Sequence, residues 1–347
     1  MNFLSDNSSG VHPEVMEALA AANEGHVTSY GADALSLATE DRIRELFNAS
    51  EAEILLVASG TAANAIALGA AVPPWGRIFC HEDAHVETSE CGAPEMFTGG
   101  AKLTLVSGEG GLIDADALDR AVSFWSGEGL GGGHPAAISL TNSTEWGRVW
   151  TPDDVAEIAA IARQHGLGLH MDGARFANAV VSCDVMPGKL SHEAGVDILS
   201  FGGTKNGAMG VEAIIAFNPD LADRLVHMRK RSGHLLSKHR YLAAQFYALL
   251  EDGLWLRLAR HANDMAGLLA HGLDTIESVR VLQPVESNQV FVVLPADADD
   301  RARAAGAHYH RWSSPGDENE DEVTIRLVCG WSTQETEIEA LISALRG

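Results

Sequence analysis

The stretch "VDILSFGGTKNGAMGVEAII", residues 196–215, reads as an apolar strand followed by a glycine-rich turn. Lys205 is the only charged residue between Asp197 and Glu212. A lysine that serves only solubility usually lies among other charges on a helix face. A lysine among glycines and apolar residues is partly desolvated, which lowers its pKa and makes it a nucleophile for carbonyl groups. Lys205 is therefore the first candidate functional residue.

Short apolar segments alternate with helical patterns from residue 51 to about residue 217. Several of the segments are apolar on both faces, as buried strands of a parallel sheet are. One helical pattern, residues 151–166, opens with Thr-Pro-Asp-Asp and closes on glycine. The alternation predicts an α/β fold with a mainly parallel sheet covered by helices. The predicted strands are "EILLVAS", "RIFCHE", "KLTLVS", "AAISLTN", "LGLHMD", "VDILSFG" and "AIIAFN".

The C-terminal part of the chain has a different pattern. Residues 220 to about 272 look helical throughout, and the segments "VRVLQP", "NQVFVVLP", "GAHYHRW" and "VTIRLVCG" then predict a smaller sheet. The final segment, "QETEIEALISALRG", predicts a helix. We therefore predict an N-terminal segment at residues 1–13, a large domain at 14–245 and a small α+β domain at 246–347.

The chain is strongly acidic. Its 347 residues carry a formal net charge of −24, from 48 acidic and 24 basic residues. A field of this sign repels polyanions, so neither nucleic acid nor an anionic membrane is a predicted partner. The densest acidic run, "GDENEDE" at 316–322, predicts a solvated hairpin turn. The chain shows no signal sequence and no apolar run of about 18 residues, which predicts a soluble, cytoplasmic protein.

The cysteines and histidines give no strong metal signature. Cys80, Cys91, Cys183 and Cys329 form no CxxC pair, which favours reduced structural thiols. The histidines at positions 81 and 85 have the spacing of ligands on one helix face, but no third ligand is evident. No metal site is predicted.

One strand end predicts a phosphate site. In an α/β sheet, ligands collect outside the carboxyl ends of the strands. Ser59, Gly60 and Thr61 follow a predicted strand directly and begin a predicted helix, whose free N–H groups and dipole attract phosphate. By itself this pattern is also typical of a plain helix N-cap.

A second strand end supplies a carboxylate and a guanidinium. Asp172 ends the segment "LGLHMD", and Arg175 follows closely. Taken alone, the two also fit a structural ion pair. Together with Lys205 and the Gly60–Thr61 turn, however, Asp172 matches the needs of pyridoxal phosphate: a lysine that binds it covalently, an acid for its pyridinium nitrogen and an anion cradle. The coincidence is a much stronger indication than any one of the three.

The sequence also resembles a known family over essentially its whole length. "SDNSSGVHPEV", "SYGAD", "ASGTAANAIAL", "EDAHVETSECGAPE", "GLHMDGARFANAV" and "FGGTKNG" are similar to the threonine aldolase family of fold-type I pyridoxal phosphate enzymes, within the wider β-eliminating lyase group. The resemblance implies a three-layer α/β/α large domain, pyridoxal 5'-phosphate as cofactor and a homodimer or homotetramer with active sites at the subunit interface. It implies cleavage of L-threonine, L-allo-threonine or phenylserine to glycine and an aldehyde.

The resemblance also assigns the cofactor site residue by residue. Lys205 would hold the cofactor covalently, and Asp172 would keep its ring nitrogen protonated. Gly60 and Thr61 would bind the phosphate. His85 matches the histidine that stacks on the ring, although a histidine after a strand is more often a plain hydrogen-bonding residue.

Substrate residues follow from the same resemblance. Arg175 and Arg326 match the arginines that hold the substrate carboxylate, and Arg175 is also placed beside the cofactor. Ser5, in an N-terminal segment that packs at the active site, matches a serine on the same carboxylate. Tyr30 and His134 match positions near the substrate side chain, Tyr30 commonly from a neighbouring subunit. The candidate base for the β-hydroxyl proton is His85 or His134.

Three points stay open in the sequence. Lys238 and Arg240 both lie near the position of a basic residue that reaches the phosphate in the family. The segment "LTNSTEWGR" at 140–148 departs from the family, so that Thr144 or Glu145 replaces part of a polar loop beside the cofactor. The reaction also has alternatives: β-elimination, aminotransfer or one-carbon transfer in a related enzyme, or a catalytically silent cofactor-binding protein.

Overall fold

The computed structural model describes residues 1–312 and 321–347. The predicted turn at 316–322 therefore lies almost entirely outside the described residues.

Seven strands form the large sheet. They are β1 (Glu53–Val57), β2 (Gly76–His81), β3 (Lys102–Val106), β4 (His134–Thr141), β5 (Gly168–Gly173), β6 (Ile198–Gly202) and β7 (Glu212–Ala216). Their order is β1-β7-β6-β5-β4-β2-β3, and β7 runs antiparallel to both of its neighbours. The pairs from β3 across to β6 are parallel. The carboxyl ends of β1 to β6 therefore meet at one edge of the sheet, where β7 begins.

Helices cover both faces of this sheet. They are α1 (Pro13–Ala22), α2 (Ala34–Phe47), α3 (Gly60–Ala71), α4 (His85–Thr88), α5 (Ala93–Thr98), α6 (Ala115–Gly127), α7 (Gly129–Gly132), α8 (Pro152–His165), α9 (Phe176–Cys183), α10 (Ala222–Arg231) and α11 (Arg240–Leu250). Short 3-10 helices lie at Asp6–Ser8, His192–Ala194, Thr204–Asn206, Pro219–Leu221 and Glu251–Gly253.

The two helical layers follow from the alternation of side chains along the strands. In β1, Leu55 and Val57 pack against α3 and α10. Ile54 and Leu56 point to the other face and join the core made with α2, α8, α9 and α11. Because successive strand residues face opposite sides, a strand that is apolar throughout requires cover on both.

A four-stranded antiparallel sheet forms the smaller unit. Its strands are β8 (Arg280–Val281), β9 (Gln289–Pro295), β10 (His310–Arg311) and β11 (Glu322–Val328), in the order β10-β11-β9-β8. It packs with α12 (Leu254–Leu273), α13 (Ala296–Ala304) and α14 (Glu335–Arg346). The predicted α/β architecture, with a large three-layer unit and a small α+β unit, is confirmed.

The boundary between the two cores lies further along the chain than residue 245. Position 245 lies inside α11, which packs on α1 and α2 of the large unit. Residues up to Ala259 belong to the large core, whereas Met265 and later residues of α12 belong to the small one. The N-terminal segment is also part of the small unit, since Phe3 is buried in its core.

Residues 220–272 are not helical throughout. Residues 232–239 separate α10 from α11, where Gly233 adopts a φ of +81° just beyond the end of α10. None of the helices in the described ranges is long and apolar enough to cross a membrane.

Candidate active site

A cavity of about 750 Å³ opens at the edge of the large sheet where the parallel strands end. The N-terminal segment and the smaller sheet close its other sides. The structure brings most of the predicted site residues together on its wall: Ser5, Gly60, Thr61, His85, Asp172, Arg175, Lys205 and Arg326. Tyr30 and His134 do not line it.

Lys205 follows β6 in the 3-10 turn Thr204–Asn206. Its pKa is lowered by burial and further by Arg175, although Asp6, Asp172 and Glu212 oppose the change. The turn is tied to the helical layer, because the Asn206 side chain donates a 2.8 Å hydrogen bond to the Trp255 carbonyl. A held lysine with a lowered pKa has a larger fraction of free amine near neutral pH.

Asp172 is fixed at the end of β5 by two hydrogen bonds. Its Oδ2 accepts from Asn64 Nδ2 at 2.8 Å, and its Oδ1 accepts from the Ala174 backbone N–H at 2.9 Å. The side chain is buried, with 3% exposure. A buried carboxylate held in one orientation suits a partner that carries a positive charge, such as a protonated ring nitrogen.

The phosphate candidate lies at the N-terminus of α3. Ser59 caps the helix by accepting a hydrogen bond from the Ala62 N–H at 3.3 Å. A Cβ built on Gly60 would meet no atom within 4 Å, so the backbone at this position faces open space. Free N–H groups at a helix N-terminus beside open space form an anion site.

Glu212 lines the same cavity and was not predicted. It begins β7 opposite Val57, next to the Ser59–Thr61 turn, and accepts a 2.8 Å hydrogen bond from the Gly203 N–H. Burial raises the pKa of Glu212 to about 7. The neutral form of this acid is compatible with a nearby anion, whereas the ionised form would repel it.

His85 lies at the start of α4 and donates from Nδ1 to Glu90 Oε1 at 2.8 Å. This hydrogen bond raises the pKa of His85, and burial raises that of Glu90. Asn64 Nδ2 also donates to Glu90 Oε1 at 2.8 Å, so that one amide links Glu90 and Asp172.

Ligand atoms of His85, Glu90 and Asp172 lie within 4.8 Å of one another, a spacing that a metal ion can bridge. The Asn64 amide already donates to both carboxylates. The set is therefore described best as a hydrogen-bonded network. His81, the other histidine considered from sequence, accepts from the Asp83 N–H at 3.0 Å and contacts the Gly108 carbonyl at 3.3 Å.

Arg175 is engaged by a residue that sequence analysis missed. Asp6 accepts from Arg175 Nε at 2.6 Å and from Nη2 at 3.0 Å, and also from Asn288 Nδ2 at 3.1 Å. Burial alone would raise the pKa of Asp6, but Arg175, Lys205 and the hydrogen bonds outweigh it and hold this pKa below its ordinary value. Asp6 thus fixes Arg175 in the cavity wall.

Arg326 comes from β11, where it lies opposite Phe291 of β9. Its guanidinium lies 4.9 Å from the centre of the Trp312 ring. Within the described ranges its buried Nε has no hydrogen-bond partner. Burial, and then the nearby Arg175, lower the pKa of Arg326 to about 10. Two clustered arginines, one with a free buried donor, form a site for a carboxylate.

The prediction for His134 is wrong for a site within one subunit. His134 is the first residue of β4 and pairs with Gly76, the first residue of β2. Both lie at the amino ends of parallel strands, so His134 is at the edge of the sheet opposite to the main cavity. There it lines a separate cavity of about 300 Å³. It cannot act on a ligand bound beside Lys205 of the same chain.

Tyr30, Lys238 and Arg240 lie away from the cavity wall as well. Tyr30 is 49% exposed, and its ring packs under Lys230 Nζ at 4.8 Å. Its N–H donates to the Ser237 carbonyl at 3.0 Å, beside the exposed Lys238. Arg240 Nη1 donates to the Glu24 carbonyl at 3.1 Å, so its guanidinium is partly used within the fold.

The chain is similar to proteins of one family. The family profile of beta-eliminating lyases matches residues 2–297. A low specificity L-threonine aldolase from Pseudomonas aeruginosa is 41% identical over 99% of this chain and 96% of its own length. One from a Pseudomonas species is 39% identical, again over 99% and 96% of the two chains.

Solved structures agree with these sequence relatives. The threonine aldolase from Leishmania major superposes with a TM-score of 0.92 and 28% identity, over 99% of this chain and 98% of that one. The serine palmitoyltransferase from Sphingomonas wittichii, at 14% identity and a TM-score of 0.73, shares the fold. The fold-type I prediction is thereby confirmed. This chain belongs to the beta-eliminating lyase family and, within it, to the threonine aldolases.

Proposed function

We propose that this protein uses pyridoxal 5'-phosphate to cleave L-threonine, L-allo-threonine and related L-β-hydroxy-α-amino acids such as phenylserine into glycine and an aldehyde. The observation that carries the proposal is the convergence of Lys205, Asp172 and the N-terminus of α3 on one cavity. The names of the relatives support the reaction type.

The residues present fit this cofactor. Lys205 supplies an amine whose pKa is lowered by burial, Asp172 supplies a fixed carboxylate, and Gly60 faces open space at a helix N-terminus. Lys205 would hold the cofactor covalently, Asp172 would pair with its ring nitrogen, and Gly60 and Thr61 would bind its phosphate. When bound, the cofactor supplies an electron sink for the bond that breaks.

The arginines orient the substrate. Arg326 offers the amino-acid carboxylate an Nε that is unpaired within residues 1–312 and 321–347, Arg175 is held beside it by Asp6, and Ser5 lies on the same wall. A carboxylate bound at this wall fixes the rotation of the substrate about its N–Cα bond. The bond to be broken can then be held in one orientation, which lowers the entropic part of the barrier.

The assembly is proposed to be a homodimer or homotetramer. Tyr30 matches a position that commonly acts on the site of a neighbouring subunit, and it lies on an exposed surface close to Lys238 instead of in the cavity of its own chain. The four cysteines are free thiols, in keeping with the cytoplasm as the proposed compartment.

A product assay tests the reaction. The protein, loaded with pyridoxal 5'-phosphate, is incubated with L-threonine in the absence and presence of an added keto acid such as 2-oxoglutarate, and glycine, acetaldehyde, 2-oxobutyrate and ammonia are measured. We expect glycine and acetaldehyde in equal amounts. 2-Oxobutyrate with ammonia would instead indicate elimination, and transfer that depends on an added keto acid would indicate an aminotransferase. Bound cofactor without turnover of any amino acid would indicate a silent binding protein.

A further inference from the structure

Glu145 lies in the segment at 140–148, where the sequence departs from that of the family. It follows β4 in the segment "LTNSTEWGR" and lines the main cavity together with Thr141 and Asp172. Its Oε1 accepts a 2.7 Å hydrogen bond from the His85 backbone N–H. This bond fixes the carboxyl group next to the residue that is expected to stack on the cofactor.

The other oxygen of Glu145 is a candidate proton acceptor. Within the part of the chain that the structure describes, Glu145 Oε2 is buried and has no hydrogen-bond partner. Burial, and then the charge of Asp172, raise the pKa of Glu145 to about 7, although the backbone N–H groups of Glu145 and His85 and the nearby Thr141 hydroxyl act to lower it. A buried oxygen without a partner carries a desolvation cost, which a ligand that donates a hydrogen bond would relieve.

The other candidate bases are less suitable. His134 lies at the opposite edge of the sheet. The His85 ring donates its Nδ1 to Glu90, and this hydrogen bond raises the pKa of His85, which makes the ring a poorer proton acceptor near neutral pH. Glu90 and Asp172 are both held by the Asn64 amide. Among the acids that line the cavity in the described ranges, Glu145 is the one with a fully buried oxygen that has no hydrogen-bond partner, since Glu90 and Glu95, which also have such an oxygen, do not line it.

We infer that Glu145 is the catalytic acid–base residue that exchanges a proton with the β-hydroxyl group of the substrate. The inference rests on the proposed function. In the cleavage direction, Glu145 Oε2 takes the hydroxyl proton as the oxygen forms the aldehyde carbonyl and the Cα–Cβ bond breaks. The electron pair of that bond stays with the glycine fragment. The balance closes when the glycine carbon gains one proton and Glu145 returns its own proton to solvent.

The test compares Glu145→Gln with Glu87→Gln. A glutamine at 145 preserves the size of the side chain and an acceptor for the His85 N–H, but it cannot take a proton. Glu87 is an exposed acid two residues from His85 and does not line the cavity, so it controls for the loss of one local charge. Glu145→Asp keeps an ionisable group and serves as a second variant if Glu145→Gln folds poorly.

Three quantities are measured for each protein. They are kcat for threonine cleavage across pH, the exchange of glycine Cα hydrogen for deuterium, and the infrared carboxyl band of the protein without cofactor across pH. We expect kcat of Glu145→Gln to fall about 10²- to 10⁴-fold, with loss of the rise in activity near pH 7. Glycine exchange, which involves no β-hydroxyl, falls far less. In Glu145→Gln, the infrared carboxyl band that titrates near pH 7 loses one component. Glu145→Asp retains the rise of kcat with pH. Glu87→Gln matches the parent in all three quantities.

Two results would overturn the assignment. One is a Glu145→Gln protein with the parent kcat and pH profile. The other is an infrared titration that Glu145→Gln leaves unchanged. Failure of the proposed function is a different result: the parent protein would then release no aldehyde at any pH while it still exchanged the glycine hydrogen, and the role of Glu145 would fall with it.

Discussion

Asp6 and Arg175 are joined by two hydrogen bonds, of 2.6 Å to Nε and 3.0 Å to Nη2, although the two residues are far apart in the sequence. The pair connects the N-terminal segment to the end of β5. Because Nε and Nη2 of Arg175 already donate to Asp6, the Nε of Arg326, which has no hydrogen-bond partner among the described residues, is the better donor for an incoming carboxylate. The substrate-binding wall is thus assembled by a residue that does not need to touch the substrate.

Replacing Asp6 tests this arrangement. We expect Asp6→Asn to lower the free energy of unfolding by about 3 kcal/mol, because it leaves a partly buried guanidinium without its anion. The KM for L-threonine should rise roughly tenfold, which corresponds to about 1.4 kcal/mol of binding. Denaturant unfolding and steady-state kinetics measure the two effects.

Asp297→Asn is the matched control, because it removes an exposed acid from an ion pair with Arg301 on the surface. It should lower the free energy of unfolding by less than about 1 kcal/mol and leave KM unchanged. Equal effects of the two variants on the free energy of unfolding and on KM would mean that Asp6 does not hold Arg175 in its functional position.

The role of Asp172 is tested by Asp172→Asn. The variant removes the charge that favours a protonated ring nitrogen but retains the size of the side chain. Cofactor should still bind, whereas kcat for aldehyde release should fall about 100-fold or more. Absorbance titration with cofactor and an aldehyde assay separate the two effects. An unchanged kcat would show that Asp172 does not assist the reaction through the ring nitrogen.

The Glu90 carboxyl is predicted to set the protonation of His85. In Glu90→Gln the pKa of His85 should move down toward its ordinary value of about 6.5. A raised folded-state pKa means that protonation of His85 contributes stability that is full below about pH 6.5, while Glu90 is ionised, and that is lost as pH rises through the raised value. NMR titration of the histidine ring protons measures the change. A His85 titration that Glu90→Gln leaves unmoved would show that the hydrogen bond is not the cause.

Glu212 is predicted to make the cofactor-free protein less stable in mild alkali. Its folded pKa of about 7 lies above the ordinary value of 4.5, so its contribution to stability is full below about pH 4.5 and is lost as pH rises through 7. Glu212→Gln should therefore be more stable relative to the parent at pH 8 than at pH 5, by up to about 3 kcal/mol. Urea unfolding at pH 5 and pH 8 measures the difference in free energy of unfolding between the variant and the parent. The same difference at both pH values would refute the prediction.

The strand pattern was sufficient to place much of the site. Lys205, Asp172 and Gly60 each follow an apolar strand, and parallel strands end at one edge, so their meeting can be predicted without knowing the strand order. The same rule shows why the prediction that His134 lies at the site of its own chain was wrong. This histidine precedes the strand "AAISLTN" instead of following it, and its position in the sequence already placed it at the amino end.

Other residues could not be found in this way. Asp6, Asn64 and Glu90 act through hydrogen bonds to residues distant in the sequence, and these depend on how the N-terminal segment, α3 and the turn after α4 pack. No local periodicity reports such contacts. The core boundary was missed for a related reason, because α12 is a continuous helix that contributes to both cores and carries no turn signal where it passes between them.

We expect Lys205 to carry the cofactor, and the rest of the proposed site depends on this residue. The most direct measurement is to load the protein with pyridoxal 5'-phosphate, reduce it with borohydride, digest it and locate the added mass by mass spectrometry. We predict the label on Lys205 in the parent protein and its loss in Lys205→Ala, with the other lysines, Lys102, Lys189, Lys230 and Lys238, unlabelled. A label on one of those lysines, or full labelling of Lys205→Ala, would contradict the account.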